Sequence, residues 1–348
     1  MKKILVKSDI TIRQAMKVLD KTAEKCLIVI DKNNKLKGTL TDGDLRRSIL
    51  KGILFSEDIS NSYNIKPITL IENEYDDRDL KKLILKKKLD LIPVVDKNNC
   101  VVDYVTGSSL VQDRKARSKI KNIPVVIMAG GKGTRMEPFT KILPKPLVPI
   151  HEKPIIEHII ESFISAGCND FYLSVNYKSR ILKAYFEEVD SSYKINFVEE
   201  KEPLGTAGSL RLLDNKFDYP FFVTNCDIIV KADYLSLYEF HKKGNYDVTV
   251  VASAKEYVIP YGTCELNKDG HLSHINEKPK YDFLINTGLY VLSPEILSLI
   301  PKDSFYHITH LIEDAKNKGK KVGVFPIDDE SWVDVGQWTE YQQAVDRL

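Results

Sequence analysis

The stretch Val125-Val126-Ile127-Met128-Ala129-Gly130-Gly131-Lys132-Gly133-Thr134-Arg135 decides the fold class. Four consecutive apolar residues, three of them β-branched, read as a buried strand that the chain leaves through a glycine-rich turn. Working outward, 155–166 has helical period and stops at Gly167. Further buried strands are read at 171–175, 197–198, 221–223 and 248–251, with helices between them at 182–188 and 235–243. Strands alternating with helices predict an α/β domain whose mostly parallel sheet is covered on both faces. Such sheets bind ligands beyond the carboxyl ends of their strands, so the chemistry should sit just after them.

It does. Gly130, Gly131 and Gly133 let backbone approach an anion, and their N–H groups can cradle phosphate oxygens, followed by Thr134 and the planar cation of Arg135. The spacing is neither the dinucleotide fingerprint nor the P-loop, because no Gly-Lys-Ser/Thr closes the loop. Lys145 stands between Pro144 and Pro146, on a stiff segment where less entropy is lost on meeting a phosphate. Five further motifs follow: Glu199 to Gly208 (EEKEPLGTAG), Asn225-Cys226-Asp227, Glu277-Lys278-Pro279, Asn286-Thr287-Gly288 and Trp332-Val333-Asp334-Val335-Gly336. Taken singly each acidic residue reads as a solvated side chain or a helix cap; taken together, in this order, they point to one site.

The N-terminal third is a repeat. Leu27 to Leu45 (LIVIDKNNKLKGTLTDGDL) matches Ile92 to Leu110 (IPVVDKNNCVVDYVTGSSL) without a gap, at a constant offset of 65 residues. Each copy reads as strand, Asp-Lys-Asn-Asn turn, strand, then a helix start, here 45–50 in the first copy. A helical face precedes each: Ile12, Ala15, Met16 and Leu19, then Leu80, Leu83 and Ile84. Residues 112–122 (QDRKARSKIKN) are basic, lack apolar periodicity and read as a solvated connector.

The chain has 348 residues, enough for two domains, and 43% hydrophobic against 29% charged residues suits buried cores. A formal net charge of +2 excludes a protein that coats nucleic acid or an anionic membrane. No apolar run approaches the roughly 18 residues of a membrane span, and the N-terminal MKKILVKSDI lacks a signal-peptide cleavage site. Cys26, Cys100, Cys168, Cys226 and Cys264 form no Cys-x-x-Cys pair, so buried reduced thiols in a cytoplasmic protein are expected.

The seven motifs after 123 together resemble the sugar-1-phosphate nucleotidyltransferases, and GGKGTR followed by PKPL is highly specific to them. The resemblance implies a Rossmann-like domain over 123–348 that makes an NDP-sugar and pyrophosphate from a nucleoside triphosphate and a sugar 1-phosphate. Two polyanions must meet, so such a site neutralises charge rather than supplying a nucleophile. On the matching positions, Arg135 would hold the triphosphate, Lys145 the α-phosphate and Lys278 the sugar phosphate. Asp227 and Asp334 would hold Mg2+, a hard cation suited to carboxylates and phosphates. Gly262, Glu277 and Asn286 match sugar contacts, and Gly205 lies in the nucleotide loop. Glu200 takes the base-reading position. An ionised carboxylate only accepts hydrogen bonds, and guanine offers two adjacent donors, which favours GTP; UTP, dTTP and CTP are the alternatives.

The repeat over 1–114 resembles the tandem CBS pair, or Bateman module, with 115–122 as linker. That family pattern implies an adenosine nucleotide held by Thr41 and Asp44 after Gly38; Asp44 equally suits the N-terminus of the following helix. The second copy departs, with Asp103 for the glycine and Ser109 for the aspartate, which implies at most one nucleotide site. A module that only dimerises or packs on its neighbour is the alternative. A CBS pair before this transferase is similar to the glucosamine-1-phosphate guanylyltransferases of bacterial legionaminic-acid pathways, which feed surface glycans; mannose 1-phosphate and a heptose 1-phosphate stay open. A homo-oligomer is expected, and neither nucleic acid nor a membrane is expected as partner. The rival of another class is an inactive nucleotide-sensing protein.

Overall fold

The computed structural model describes residues 4–22, 24–72, 75, 80, 87, 89–106, 123–189 and 192–347. The connector expected at 115–122, the helix positions Leu83 and Ile84, and Ser109 lie outside the described residues. The chain divides into two compact units: Met1–Arg117 with Ala254–Phe283, and Ser118–Ser253 with Leu284–Leu348.

In the first unit, β1 (Leu5–Lys7), α1 (Ile12–Thr22), β2 (Cys26–Ile30), β3 (Leu36–Thr41) and α2 (Asp42–Leu50) form the first repeat, and β4 (Leu70–Ile71), β5 (Leu91–Val95) and β6 (Val101–Thr106) belong to the second. The two three-stranded sheets have matching orders, β1-β2-β3 and β4-β5-β6. Their hairpins share a register irregularity, at Val29/Ile30 and at Val94/Val95, 65 residues on. The Asp-Lys-Asn-Asn turns also agree. Asn34 and Asn99 both take φ 63. Asp31 Oδ1 accepts from the N–H groups of Asn33 and Lys35, as Asp96 Oδ1 does from Asn98 and Cys100. The turns then pair with each other, Leu36 N–H to Asn99 O at 2.9 Å and Val101 N–H to Asn34 O at 3.0 Å. Ile12, Ala15, Met16 and Leu19 are the buried face of α1, as their spacing predicts.

The helix expected from Leu45 begins at Asp42, and the reason is local. Thr41 is its N-cap, accepting from Asp44 N–H, while the Asp44 carboxylate accepts from Thr41 N–H. This reciprocal capping box satisfies two otherwise orphaned donors. The Thr41 hydroxyl also donates to Asp44 Oδ2 at 2.6 Å, and Arg47 pairs with Asp44 Oδ1.

The second unit holds a sheet of β7 (Val125–Met128), β10 (Asp170–Val175), β11 (Lys194–Glu199), β12 (Phe221–Asn225), β14 (Val248–Val258), β17 (Lys280–Leu292) and β18 (Val322–Asp328), in the order β11-β10-β7-β12-β17-β14-β18. Between these lie the short hairpins β8 (Pro149–Ile150) with β9 (Lys153–Pro154) and β15 (Thr263–Leu266) with β16 (Leu272–Asn276). β13 (Ile228–Val230) pairs with β19 (Trp332–Asp334). β11, β10, β7 and β12 run parallel, and β17 runs antiparallel to β12. The division into units falls within β14 and β17.

Side chains alternate along β7. Val125 and Ile127 join a core with Ile156, Phe163 and Phe222, whereas Val126 and Met128 join another with Phe221, Val223 and Leu292. Burial on both faces is why this strand reads as a continuous apolar run. The helices are α3 (Ile155–Ala166), α4 (Ser179–Glu188), α5 (Tyr234–Gly244), α6 (Ile308–Asn317) and α7 (Trp338–Arg347). Gly167 closes α3 at φ 102 in the left-handed region. The EEKEPLGTAG motif starts at the end of β11 and leads into a 3-10 helix, Gly208–Leu213. No helix among the described residues is long and apolar enough to cross a membrane. The cysteines are free, but the expectation of uniform burial is corrected: Cys264 is exposed and Cys100 half-buried, because both lie on hairpins outside the cores.

Candidate active site

The glycine loop leaves the carboxyl end of β7 and turns at Gly133, whose φ of 66 starts the 3-10 turn Thr134–Met136. A Cβ on Gly133 would come within 3.0 Å of Lys145 Cβ, so glycine lets the loop close down on the lysine. Lys145 is only 6% exposed, unlike the ordinary loop lysine. Its Nζ lies 2.6 Å from Asp227 Oδ2 and donates to Gly336 O at 3.2 Å.

Asp227 and Asp334 are joined by strand pairing. Asp227 lies just past β12, the next residue opens β13, and Ile228 stands opposite Asp334 in the β13–β19 ladder. Val335 N–H donates to Asp227 O at 2.9 Å. Asp334 Oδ1 accepts from Gly336 N–H at 2.7 Å. Burial holds the Asp334 carboxyl above its ordinary value; the Asp227 charge pushes the same way, while the Gly336 N–H and Lys145 oppose it. A Cβ on Gly336 would stand 2.8 Å from Asp334 Oδ1 and 3.2 Å from Asp227 Oδ2. The loop therefore roofs the carboxylates with bare backbone.

A cleft of about 250 Å³ opens here, lined among others by Arg135, Asp227, Asp334, Asn225, Asn286 and Trp332. Arg135 enters no ion pair among the described residues. Asn286 Oδ1 accepts from Gly288 N–H at 3.0 Å, which tightens the Asn-Thr-Gly turn at the cleft wall.

Glu200 follows β11 and is 8% exposed. Its Oε2 accepts from Leu204 N–H at 2.9 Å, and its Oε1 accepts from the Ser174 hydroxyl. Asn176 Nδ2 donates to its carbonyl at 2.8 Å. A Cβ on Gly130 would meet Oε1 at 2.8 Å, so the first loop glycine makes room for this carboxylate. Gly131 faces open space. Gly205, at φ 80, packs on Tyr306: a Cβ there would lie 2.8 Å from Tyr306 O, which also accepts the N–H groups of Ala207 and Gly208.

The structure thus gathers Arg135, Asp227, Asp334 and Asn286 around one cleft, with Lys145 bonded to Asp227 and with Glu200 and Gly205 on the loop after β11. Gly262, Glu277 and Lys278 lie in Ala254–Phe283, which belongs to the other compact unit. There a Cβ on Gly262 would stand 2.9 Å from Glu277 Oε2, and Lys278 takes φ 45. Thr41 and Asp44 also lie in that unit, engaged in the capping box. Sequence reasoning missed Ser174, Asn176, Tyr306 and the roofing role of Gly336. A polar residue near the end of the otherwise apolar run 171–175 was the only signal for the first.

Two carboxylates, one of them raised by burial and by the other's charge, suit a divalent cation that also takes phosphate oxygens. No group of three or more His, Cys, Asp or Glu side chains that could form a complete metal cage occurs among the described residues. This donor set fits Mg2+, which keeps waters and substrate oxygens, better than a metal needing an all-protein cage.

The protein-family model described as nucleotidyl transferase matches residues 124–348, and that of the CBS domain matches residues 1–51. A mannose-1-phosphate guanyltransferase of Yarrowia lipolytica is 41% identical over 185 residues, 50% of each chain. The chain spans about half the length of the curated relatives it matches. The crystal structure of HddC from Yersinia pseudotuberculosis is 28% identical at a TM-score of 0.51, covering 65% of this chain and 99% of that one. A second HddC structure, complexed with GMP-PN, is 26% identical over 65% of this chain and 99% of that one, at a TM-score of 0.50.

Proposed function

The chain belongs to the nucleotidyl transferase family, and on that premise we propose that it makes a GDP-sugar and pyrophosphate from GTP and a sugar 1-phosphate. The observation that carries this reading is the Lys145–Asp227–Asp334 cluster, which lies beside the glycine loop and shares its cleft with Arg135. A phosphate oxygen of the sugar 1-phosphate attacks the α-phosphorus. The bond from that phosphorus to the bridging oxygen breaks, and the oxygen leaves with its electron pair as part of pyrophosphate.

In this reading the N–H groups of Gly130, Gly131, Gly133 and Thr134 cradle the triphosphate, and Arg135 offers its fork to the departing pyrophosphate. Lys145 steadies the α-phosphate; its place on a short rigid turn means little reorganisation when charge develops. Asp227 and Asp334 would hold Mg2+, which supplies charge neutralisation to the phosphates when bound. On the motif alone, Lys278 takes the sugar phosphate, and Glu277, Gly262 and Asn286 take sugar hydroxyls.

Glu200 is the base reader. Each of its carboxylate oxygens already accepts one hydrogen bond, and each keeps a second acceptor site for the adjacent donors of guanine. The name of the Yarrowia relative and the guanine nucleotide bound to HddC support this base. For the sugar, the CBS arrangement favours glucosamine 1-phosphate for surface glycans, and the curated relatives favour mannose 1-phosphate. The CBS unit is proposed to take an adenosine nucleotide beside Thr41 and Asp44, and the enzyme to act in the cytoplasm as a homo-oligomer.

The test is pyrophosphate release with Mg2+ across four nucleoside triphosphates and a panel of glucosamine, mannose and heptose 1-phosphates. GTP is expected to win. A pyrimidine triphosphate winning would remove the Glu200 reading, and no release with any pair would leave the nucleotide-sensing alternative.

A further inference from the structure

Ala254–Phe283 is contiguous in sequence with the transferase, yet it packs with the N-terminal repeats. One side chain of the first repeat ties both ends of this excursion. Arg13, on α1, donates from one guanidinium nitrogen to Ala254 O at 3.0 Å and from the other to Asp282 Oδ1 at 2.6 Å. Its guanidinium carbon lies 5.4 Å from the centre of the Phe55 ring. The pair is largely withdrawn from water, with the Arg13 side chain 16% and that of Asp282 10% exposed. Ala254 itself is 1% exposed and belongs to the same core as Ile12, Met16 and Phe55.

Asp282 stands four residues beyond Lys278 in sequence. The stretch between them is also held by Lys280 with Glu256 at 3.5 Å, and by Ile259 N–H to Pro279 O at 3.1 Å. Lys278 sits at φ 45, a backbone conformation that a residue with a Cβ adopts only when its surroundings impose it. A fork on both ends of the excursion, with cross-ties between, is a device for fixing where this segment begins and ends. Removing one partner leaves the other charge buried and uncompensated, so the segment would shift to hydrate it.

We propose that Arg13 is a positioning residue for the sugar 1-phosphate: the N-terminal repeat holds, through Ala254 and Asp282, the segment that presents Glu277 and Lys278. This rests on the assignment of Lys278 to the sugar phosphate.

The experiment measures initial rates of pyrophosphate release by the full chain with Mg2+. GTP is varied at fixed sugar phosphate, and glucosamine 1-phosphate and, separately, mannose 1-phosphate are varied at fixed GTP. Arg13→Ala is expected to raise KM for the sugar 1-phosphate about fivefold. KM for GTP should stay within about twofold, below the size of the effect expected on the sugar side. Arg13→Lys keeps a cation beside Asp282 without the fork that also reaches Ala254 O, so it should restore only part of the loss. Should Arg13→Ala fail to fold, Asp282→Asn leaves Arg13 its Ala254 and Phe55 contacts and is read on the same scale. An unchanged sugar KM, or an equal rise in both KM values, overturns the proposal whatever the melting temperature does. Lys278→Ala is run beside it. A sugar KM unmoved by that change removes the Lys278 assignment and the proposal together. A sugar KM that responds to Lys278→Ala but not to Arg13→Ala removes the proposal alone.

Discussion

Lys145 Nζ and Asp227 Oδ2 lie 2.6 Å apart across 82 residues of sequence, and both side chains are largely withdrawn from water. The lysine is therefore held in place before substrate arrives. Lys145→Ala is expected to lower kcat for pyrophosphate release about 10²- to 10³-fold, the usual loss of one preorganised charge donor. Circular dichroism should show the fold retained. A loss below tenfold would remove Lys145 from the chemistry.

Gly336→Ala places a methyl group 2.8 Å from Asp334 Oδ1 and 3.2 Å from Asp227 Oδ2. One carboxylate has to move, and a displacement of about 1 Å at such a centre costs on the order of 10²-fold in rate. The dependence of rate on Mg2+ concentration should shift upward in the same variant. An unchanged metal dependence would show that these carboxylates do not hold the ion.

Glu200→Gln keeps the shape and replaces one acceptor oxygen with a donor. Guanine would then face a donor where it needs an acceptor. Its kcat/KM with GTP should fall about 10²-fold or more, with UTP unaffected or improved. Parallel losses with both triphosphates would mean that Glu200 only braces the loop through Ser174 and Leu204.

His241 gives a pH prediction apart from the cleft. Burial pushes its imidazole down to about 4 from 6.5, and its ring nitrogens lie 2.9 Å from Thr249 Oγ1 and 3.1 Å from Ser293 Oγ. The unfolded chain takes a proton that the folded one refuses. Stability is thus present above pH 6.5 and is lost as pH falls from 6.5 towards 4. The full loss is about 3 kcal/mol by linkage. Urea unfolding across that range should show the slope, and His241→Gln should flatten it.

Thr41→Ala removes the N-cap of α2 and should destabilise the N-terminal unit by about 1 kcal/mol, seen in its melting. If AMP binds near Asp44, calorimetry on the full chain should give heat that this variant reduces. No heat from the wild type would leave Thr41 and Asp44 as a cap alone.

Local patterns carried much of this architecture. The run Val125–Met128 was legible because both faces of that strand are buried, and α3 because its apolar stripe ends at a left-handed Gly167. The repeat was legible down to the turn residues, because Asp31 and Asp96 make the same backbone bonds. What escaped was set by tertiary approach. Nothing adjacent to Ser174 announces a carboxylate 26 residues away, and Gly336 reads as a turn until Asp227 is placed beneath it. The start of α2 was misplaced by three residues because Asp44 reads as a ligand or a cap equally well before Thr41 is seen to bond it.

The packing of Ala254–Phe283 with the N-terminal repeats bears on how such a gene can be cut. A fragment starting at residue 123 contains every motif of the transferase, yet it discards the arginine that ties Asp282 and the side chains that enclose Ala254. Apolar and charged surface would be laid bare in the middle of the fragment, far from the cut. The two pieces are thus separable on paper at one junction and interlocked at two, and recombining either with a foreign partner would have to carry residues 254–283 along.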